Sequence, residues 1–334
     1  MNGTTASRRN FLWSASVATL GDNLLAQTTS ASATGLPQRP LGRGGQKVSI
    51  ACLGGWHIGS IPEAEAIRIM HAAIDEGMTF FDNAWDYHNG HSEEVMGKAL
   101  AMDGRRNRVF LMTKNCERDY AGSMRHLEDS LRRLKTDHLD LWQFHEMVYD
   151  DAPDMVFERG GIKAAIEARK QGKVRFIGFT GHKDPRIHLK MLGKPFEWDS
   201  AQMPSNVMDA HYRSFQREVM PVCLRKKVGV IGMKGLGGGA KQGRLIEKLG
   251  LTAEQCYRYC LSLPLTSQVM GITSMEQLKA DVALARNFKP MTPAEMEAFR
   301  ARVKDQAVSG QHELFKSTQI YDGPHHRKQH GFDV

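Results

Sequence analysis

From residue 36 onward the chain alternates short apolar runs with amphipathic stretches of helical period, and it does so eight times. The runs fall at 48–53, 79–82, 109–114, 139–145, 174–180, 200–203, 228–234 and 268–272, most of them about one strand-helix unit apart. Strands separated by helices pair in parallel, because the helix carries the chain back to begin the next strand in the same direction. Eight such units close most economically into a barrel, which gives every strand two partners and leaves no open edge. The predicted fold is a single (β/α)8 TIM barrel domain over 34–334, with a doubly wound open sheet as the alternative.

Local signals agree with that frame. Over 64–76, Ala66, Ile67, Met70, Ala73 and Ile74 share one helical face and Gly77 ends the run. Ser92 ahead of Glu93 and Glu94 reads as a helix cap, and Pro185 suits a first helical turn. Pro40-Leu41-Gly42-Arg43-Gly44-Gly45 supplies the turn of an N-terminal β-hairpin that would cap the barrel floor. Thr292-Pro293-Ala294-Glu295 opens an extra C-terminal helix after the eighth unit.

Charge narrows the function classes. The formal net charge is +8, but basic and acidic residues are interspersed, so no basic block tracks a nucleic acid. The basic segment from His325 to His330 reads as a mobile terminal tail rather than a metal or nucleic-acid patch. Five cysteines without CxxC pairs argue against a disulfide framework or a zinc site. No stretch approaches the roughly 18–20 apolar residues of a membrane span.

The first 33 residues read differently. Ser7-Arg8-Arg9-Asn10-Phe11-Leu12, a mildly apolar stretch and Ala31-Ser32-Ala33 resemble a twin-arginine signal peptide with its processing site. That likeness implies the twin-arginine export machinery as partner and a periplasmic location; without a working signal the chain stays cytoplasmic.

In barrels of this kind the chemistry sits at the carboxyl ends of the strands. Three of the first four predicted strands end on ionisable residues: Asp82, Lys114 and His145. Singly, each has a structural explanation as a loop cap, a snorkelling cation or a satisfied core histidine. Together at one mouth they form a proton-transfer set, and Tyr87, five residues past Asp82, adds a phenolic donor.

The stretch Phe80-Phe81-Asp82-Asn83-Ala84-Trp85-Asp86-Tyr87, continued by Gly90-His91-Ser92-Glu93-Glu94, resembles the second βα unit of aldo-keto reductases. Lys114 in Leu111-Met112-Thr113-Lys114 and His145 in Asp140-Leu141-Trp142-Gln143-Phe144-His145 stand where that family has its other catalytic members. The resemblance implies NAD(P)H-dependent reduction of an aldehyde or ketone to an alcohol, with Tyr87 as proton donor. A neighbouring ammonium from Lys114 is expected to lower the Tyr87 pKa, and Asp82 to hold that lysine. His145 would orient the carbonyl, and the scheme requires no metal.

No G-x-G-x-x-G follows an early strand, so a Rossmann site is not supported. The resemblance instead places the cofactor on late loops. Gln202 matches the residue that holds the nicotinamide amide, with Thr180 and Met233 beside the ring. Lys234, Gly235 and Gly237 follow the seventh strand, where barrels often bind phosphate. Gly271, Thr273, Ser274, Gln277 and Asp281 form the adenosine-phosphate loop. NADP(H) is favoured and NAD(H) is possible, since Gln277 replaces an arginine common in NADP-preferring members. Trp56 and Trp85 are candidate walls for a small carbonyl or alcohol substrate. A cofactor-binding regulatory barrel with little turnover is the alternative function. A hydrolase pairing Asp82 with Asp86 is a third.

Overall fold

The computed structural model describes residues 35–238, 246 and 249–334; the leader read at 1–33 lies outside them. Two short antiparallel strands come first, β1 (Gln38–Pro40) and β2 (Lys47–Ser49), with Arg39 opposite Val48. Eight parallel strands then close a barrel: β3 (Ala51–Gly54), β4 (Phe80–Asp82), β5 (Phe110–Asn115), β6 (Leu139–Phe144), β7 (Val174–Thr180), β8 (Ser200–Pro204), β9 (Gly229–Met233) and β10 (Ser267–Met270). The ring is completed by β10, which pairs β9 on one side and β3 on the other. The open sheet is thereby ruled out.

The period-2 alternation of strand side chains sorts them between two cores. Cys52, Phe80, Phe110, Met112, Leu141 and Ile231 fill the barrel lumen, while Leu53, Phe81, Leu111, Trp142 and Ile177 pack outward on the helical ring. Leu41 and Val48 of the hairpin join the luminal cluster and plug its amino-terminal end. Gly42 makes the plug possible: its φ is +59°, and a Cβ there would lie 2.8 Å from the Asp199 carbonyl oxygen.

Three expectations need correction. The run 48–53 is two strands, because the chain leaves the hairpin at Ile50 and enters the barrel at Ala51. On the helix Glu63–Asp75 the buried face carries Ile69, and Ile67 lies at its margin. Ser92 is not a cap: Gly90, at φ +91°, precedes the helix His91–Leu100, and the Ser92 hydroxyl donates 2.8 Å to the Gly55 carbonyl. The helix Pro293–Ala307 does open as read, with a reciprocal Thr292–Glu295 capping box.

The C-terminal segment is ordered, contrary to the mobile-tail reading. It carries two short helices, Leu314–Ser317 and Pro324–Gln329, and buries Phe315, Lys316, Asp322 and His326. Its partners are loops at the carboxyl ends of the strands. His182 Nδ1 contacts the Phe315 carbonyl at 3.0 Å, the Gly323 N–H donates 2.7 Å to Glu146, and Gln329 donates 3.0 Å to the Cys116 carbonyl. The tail therefore lies across the barrel mouth.

Candidate active site

Strand parity sets the site. Asp82 follows Phe80 by two residues, Lys114 follows Met112 and Gln143 follows Leu141, so each continues a luminal row to its carboxyl end. His145 extends the β6 row just past the strand. Tyr87 begins a tight turn, Tyr87–Gly90, in which His88 and Asn89 adopt φ of 52° and 57°.

These four side chains meet. Lys114 Nζ is hydrogen-bonded to the Asp82 carboxylate, donates 2.6 Å to the Asn83 carbonyl, and lies 3.3 Å from the Tyr87 hydroxyl. The Tyr87 and His145 rings stand edge to face with centroids 5.6 Å apart. Asp82, Lys114 and His145 are buried. Burial raises the Asp82 carboxyl, against the pull of Lys114.

The expected lowering of the Tyr87 pKa is not found. Burial pushes it well above its ordinary value, and the nearby carboxylates Asp82, Asp86 and Glu146 push the same way. Lys114, although 3.3 Å from the hydroxyl, is paired with Asp82 and does not offset these effects.

Trp56 packs edge to face on Tyr87 at 5.3 Å and is half exposed, so it is placed as a wall beside the phenol. Trp85 turns towards the helix Tyr120–Leu134: it stacks on His126 at 3.6 Å and donates to Asp129 at 3.3 Å. Asp82 and Asp86 do not form an acid–base pair, since Asp82 is held by Lys114 and Asp86 faces His145 at 3.0 Å.

The residues assigned to a nicotinamide cofactor occupy one sector of the mouth. Gln202 is buried with its Oε1 lacking a hydrogen-bond partner, an acceptor that a carboxamide N–H would satisfy. Its backbone carbonyl is held by His188 at 3.0 Å. Thr180 and Met233 are neighbours, with Oγ1 and Sδ 4.0 Å apart. Lys234 has φ +56° and its ammonium lies over the Phe315 and Tyr321 rings, at 5.1 and 5.7 Å. Burial lowers its pKa to about 8. Gly235 and Gly237 continue this loop. After the neighbouring strand β10, Gly271 backs onto the His57 ring, and Ser274 caps the helix Met275–Arg286. Gln277 folds back to accept from Thr273 N at 2.7 Å and Oγ1 at 2.9 Å. Asp281 is buried one turn further on, and burial raises its pKa to about 7.

Sequence reasoning missed a second layer of polar residues. Arg118 is buried and donates 2.7 Å to the His145 carbonyl and 3.3 Å to the Glu146 carbonyl. Glu146, at φ 48°, sits beside His182 and His326. Only the charge of these residues in apolar surroundings could have flagged them, because their partners are remote in sequence.

The model described as the aldo/keto reductase family matches residues 51–250. The chain is 31% identical over 296 residues to an uncharacterized oxidoreductase, YrpG, of Bacillus subtilis, covering 72% of this chain and 88% of that one. It is 29% identical over 241 residues to the aldo-keto reductase AFTS1 of Alternaria alternata, covering 60% of this chain and 64% of that one. Among solved structures, the holo form of aldo-keto reductase AKR11C1 from Bacillus halodurans matches with a TM-score of 0.67 at 26% identity, over 83% of this chain and 99% of that one. By family model, by relatives and by a closed eight-stranded barrel, the chain belongs to the aldo/keto reductase family of oxidoreductases.

Proposed function

We propose that the chain is an NAD(P)H-dependent carbonyl reductase, interconverting an aldehyde or ketone and its alcohol. The observation that carries this is the position of Lys114 Nζ, joined to Asp82 and 3.3 Å from the Tyr87 hydroxyl, with His145 against the same ring. A bound nicotinamide supplies the hydride. Tyr87 then gives its proton to the developing alkoxide, which is the role of a group that holds its proton at neutral pH. Lys114 stabilises the phenolate left behind, Asp82 keeps that ammonium in place, and His145 donates a hydrogen bond to the carbonyl oxygen. Gln202 would take the carboxamide, with Thr180 and Met233 beside the ring. The loop from Lys234 and the amino end of the helix after Ser274 would take the phosphates. We favour NADP(H) over NAD(H) on the family likeness.

Removing the phenol while leaving the pocket intact tests this. Tyr87→Phe is expected to bind NADPH as the parent does, by protein fluorescence, and to lose about 10²–10⁴-fold in carbonyl reduction. Turnover close to the parent's would exclude Tyr87 as the donor. A cofactor-holding barrel with little turnover is the second reading, favoured by the tail lying over Lys234. Cofactor binding without turnover across aldehydes, ketones and sugars would select it. We also read 1–33 as a twin-arginine export leader. Cell fractionation with Arg8→Lys and Arg9→Lys together checks it, with retention in the cytoplasm expected.

A further inference from the structure

Asp86, Cys116, His145 and His326 each bring one donor atom to a cluster whose donors all lie within 4.8 Å of one another. They come from four segments: the turn after β4, the end of β5, the end of β6 and the tail helix Pro324–Gln329. Cys116 Sγ lies 3.5 Å and Asp86 Oδ1 3.0 Å from His145 Nδ1. Two of these atoms are unsatisfied. Asp86 Oδ1 is buried and, although close to His145, has no hydrogen bond of proper geometry. His326 is fully buried and its Nε2 has no partner, with the Glu146 carboxylate 3.9 Å away. Leaving a buried polar atom unpaired is costly, since it gives up its hydrogen bonds to water and gains none in return. Two such atoms within one cluster of donors call for a partner.

A water could hydrogen-bond to some of these atoms, but the set combines a thiol, a carboxylate and two imidazoles, the donor types that a transition-metal ion takes together. A cation gains from each. We propose that Asp86, Cys116, His145 and His326 form a binding site for a divalent transition-metal ion of the zinc type. One thiolate, one carboxylate and two neutral imidazoles balance a 2+ charge, and the thiol proton leaves to solvent on binding. Tetrahedral zinc, with bonds of about 2.0–2.3 Å, spaces its donors about 3.3–3.8 Å apart. The contacts to His145 are near that spacing, and the widest pair must close by no more than about 1.5 Å.

The site links two features already described. Metal on His145 Nδ1 leaves the ring proton on Nε2, the form that can donate to a carbonyl oxygen. His326 reaches the cluster only through the tail, so the ion would pin the tail across the mouth. Arg118 lies 3.2 Å from His326 Nδ1. With metal on Nε2 that nitrogen carries the proton, so Arg118 gives up this contact and keeps its carbonyl acceptors at Cys116, His145 and Glu146. The neighbouring group Glu117, His126 and His325 is the weaker candidate. His126 Nδ1 accepts from the Cys116 N–H, and Glu117 is engaged by Gln329.

The inference stands without the reductase reading, because metal content is measured independently of turnover. Tag-free full-length protein would be incubated with zinc, desalted and assayed by elemental mass spectrometry. Cobalt-loaded protein would be examined for thiolate charge-transfer and tetrahedral ligand-field bands. We expect one retained ion per chain and both cobalt signatures. Cys116→Ser and His326→Gln should each lose the ion, while Glu117→Gln and His325→Gln keep it, with unchanged far-ultraviolet circular dichroism as the fold check. Chelation should lower the thermal midpoint of the parent but not of folded His326→Gln. Failure of the parent to retain an ion, or retention unchanged in folded Cys116→Ser and His326→Gln, would overturn the site.

Discussion

Lys114 Nζ stands 3.3 Å from the Tyr87 hydroxyl and is tied to the buried carboxylate of Asp82. The cation is therefore structural as well as chemical. Lys114→Met leaves the buried Asp82 carboxyl without its counter-charge, so we expect it to lose about 3–5 kcal/mol of stability together with nearly all turnover. Adding Asp82→Asn removes the stranded charge and should recover much of the stability but none of the activity. Urea unfolding of the parent, both single variants and the double variant checks this. Additive losses in the double variant would show that the two residues are not coupled.

Lys234 gives a pH dependence of a different kind. Burial lowers its pKa to about 8, so in the free chain its ammonium is present below that pH and is lost above it. If it holds a phosphate, cofactor affinity should be constant from pH 6 to 7.5. Above about pH 8 it should weaken by up to about tenfold per unit. Lys234→Met should bind more weakly throughout and show no such slope. Fluorescence titrations across pH make the comparison, and a parent profile flat to pH 9.5 would remove Lys234 from the phosphate site.

How far the sequence carried depended on whether a signal was periodic or long-range. Phe80 and Asp82, or Met112 and Lys114, share a face through the alternation of a strand, so barrel and tetrad were both readable. The tail was not. His326 sits in a polar, basic stretch and Lys316 beside the isolated apolar pair Leu314-Phe315, neither in a sustained apolar period, and their burial depends on Glu146, Arg118 and Asp209, which are remote in the chain. Ser92 illustrates the same limit locally: its residue type suits a cap, yet its hydroxyl is used by Gly55, from another element. Tyr87 shows it for electrostatics, since the effect of Lys114 could not be judged without the burial and carboxylates around the phenol.

Asp281 predicts a stability change with a definite sign. Its carboxyl is raised by burial from 3.8 to about 7, so between those values the folded chain keeps a proton that the unfolded chain has released. Stability from this residue is thus greatest at low pH, falls as pH rises from about 4 to 7, and is level above that. Asp281→Asn removes the penalty. It should stabilise the protein at pH 8, by at most about 4 kcal/mol, and be neutral near pH 4. Unfolding curves at the two pH values decide it, and an equal effect at both would point to packing instead of charge.

Lys316 anchors the tail through a buried charge cluster. Its ammonium donates 2.7 Å to Asp209, 2.9 Å to Glu313 and 2.8 Å to the Tyr212 carbonyl, with all three charged side chains essentially inaccessible. Burial alone would lower the Lys316 pKa, and the two carboxylates outweigh it and raise it. Lys316→Met strands two acidic groups in the protein interior, an arrangement that costs about 3–5 kcal/mol. The chain can relieve that cost by releasing the tail, which exposes Asp209 and Glu313 to water while leaving the barrel closed. We therefore expect Lys316→Met to become sensitive to limited proteolysis beyond residue 313 before the barrel unfolds. Glu313→Gln in the same background should restore part of the resistance. Cleavage at barrel loops and tail together would instead mean that the tail and the barrel unfold as one unit.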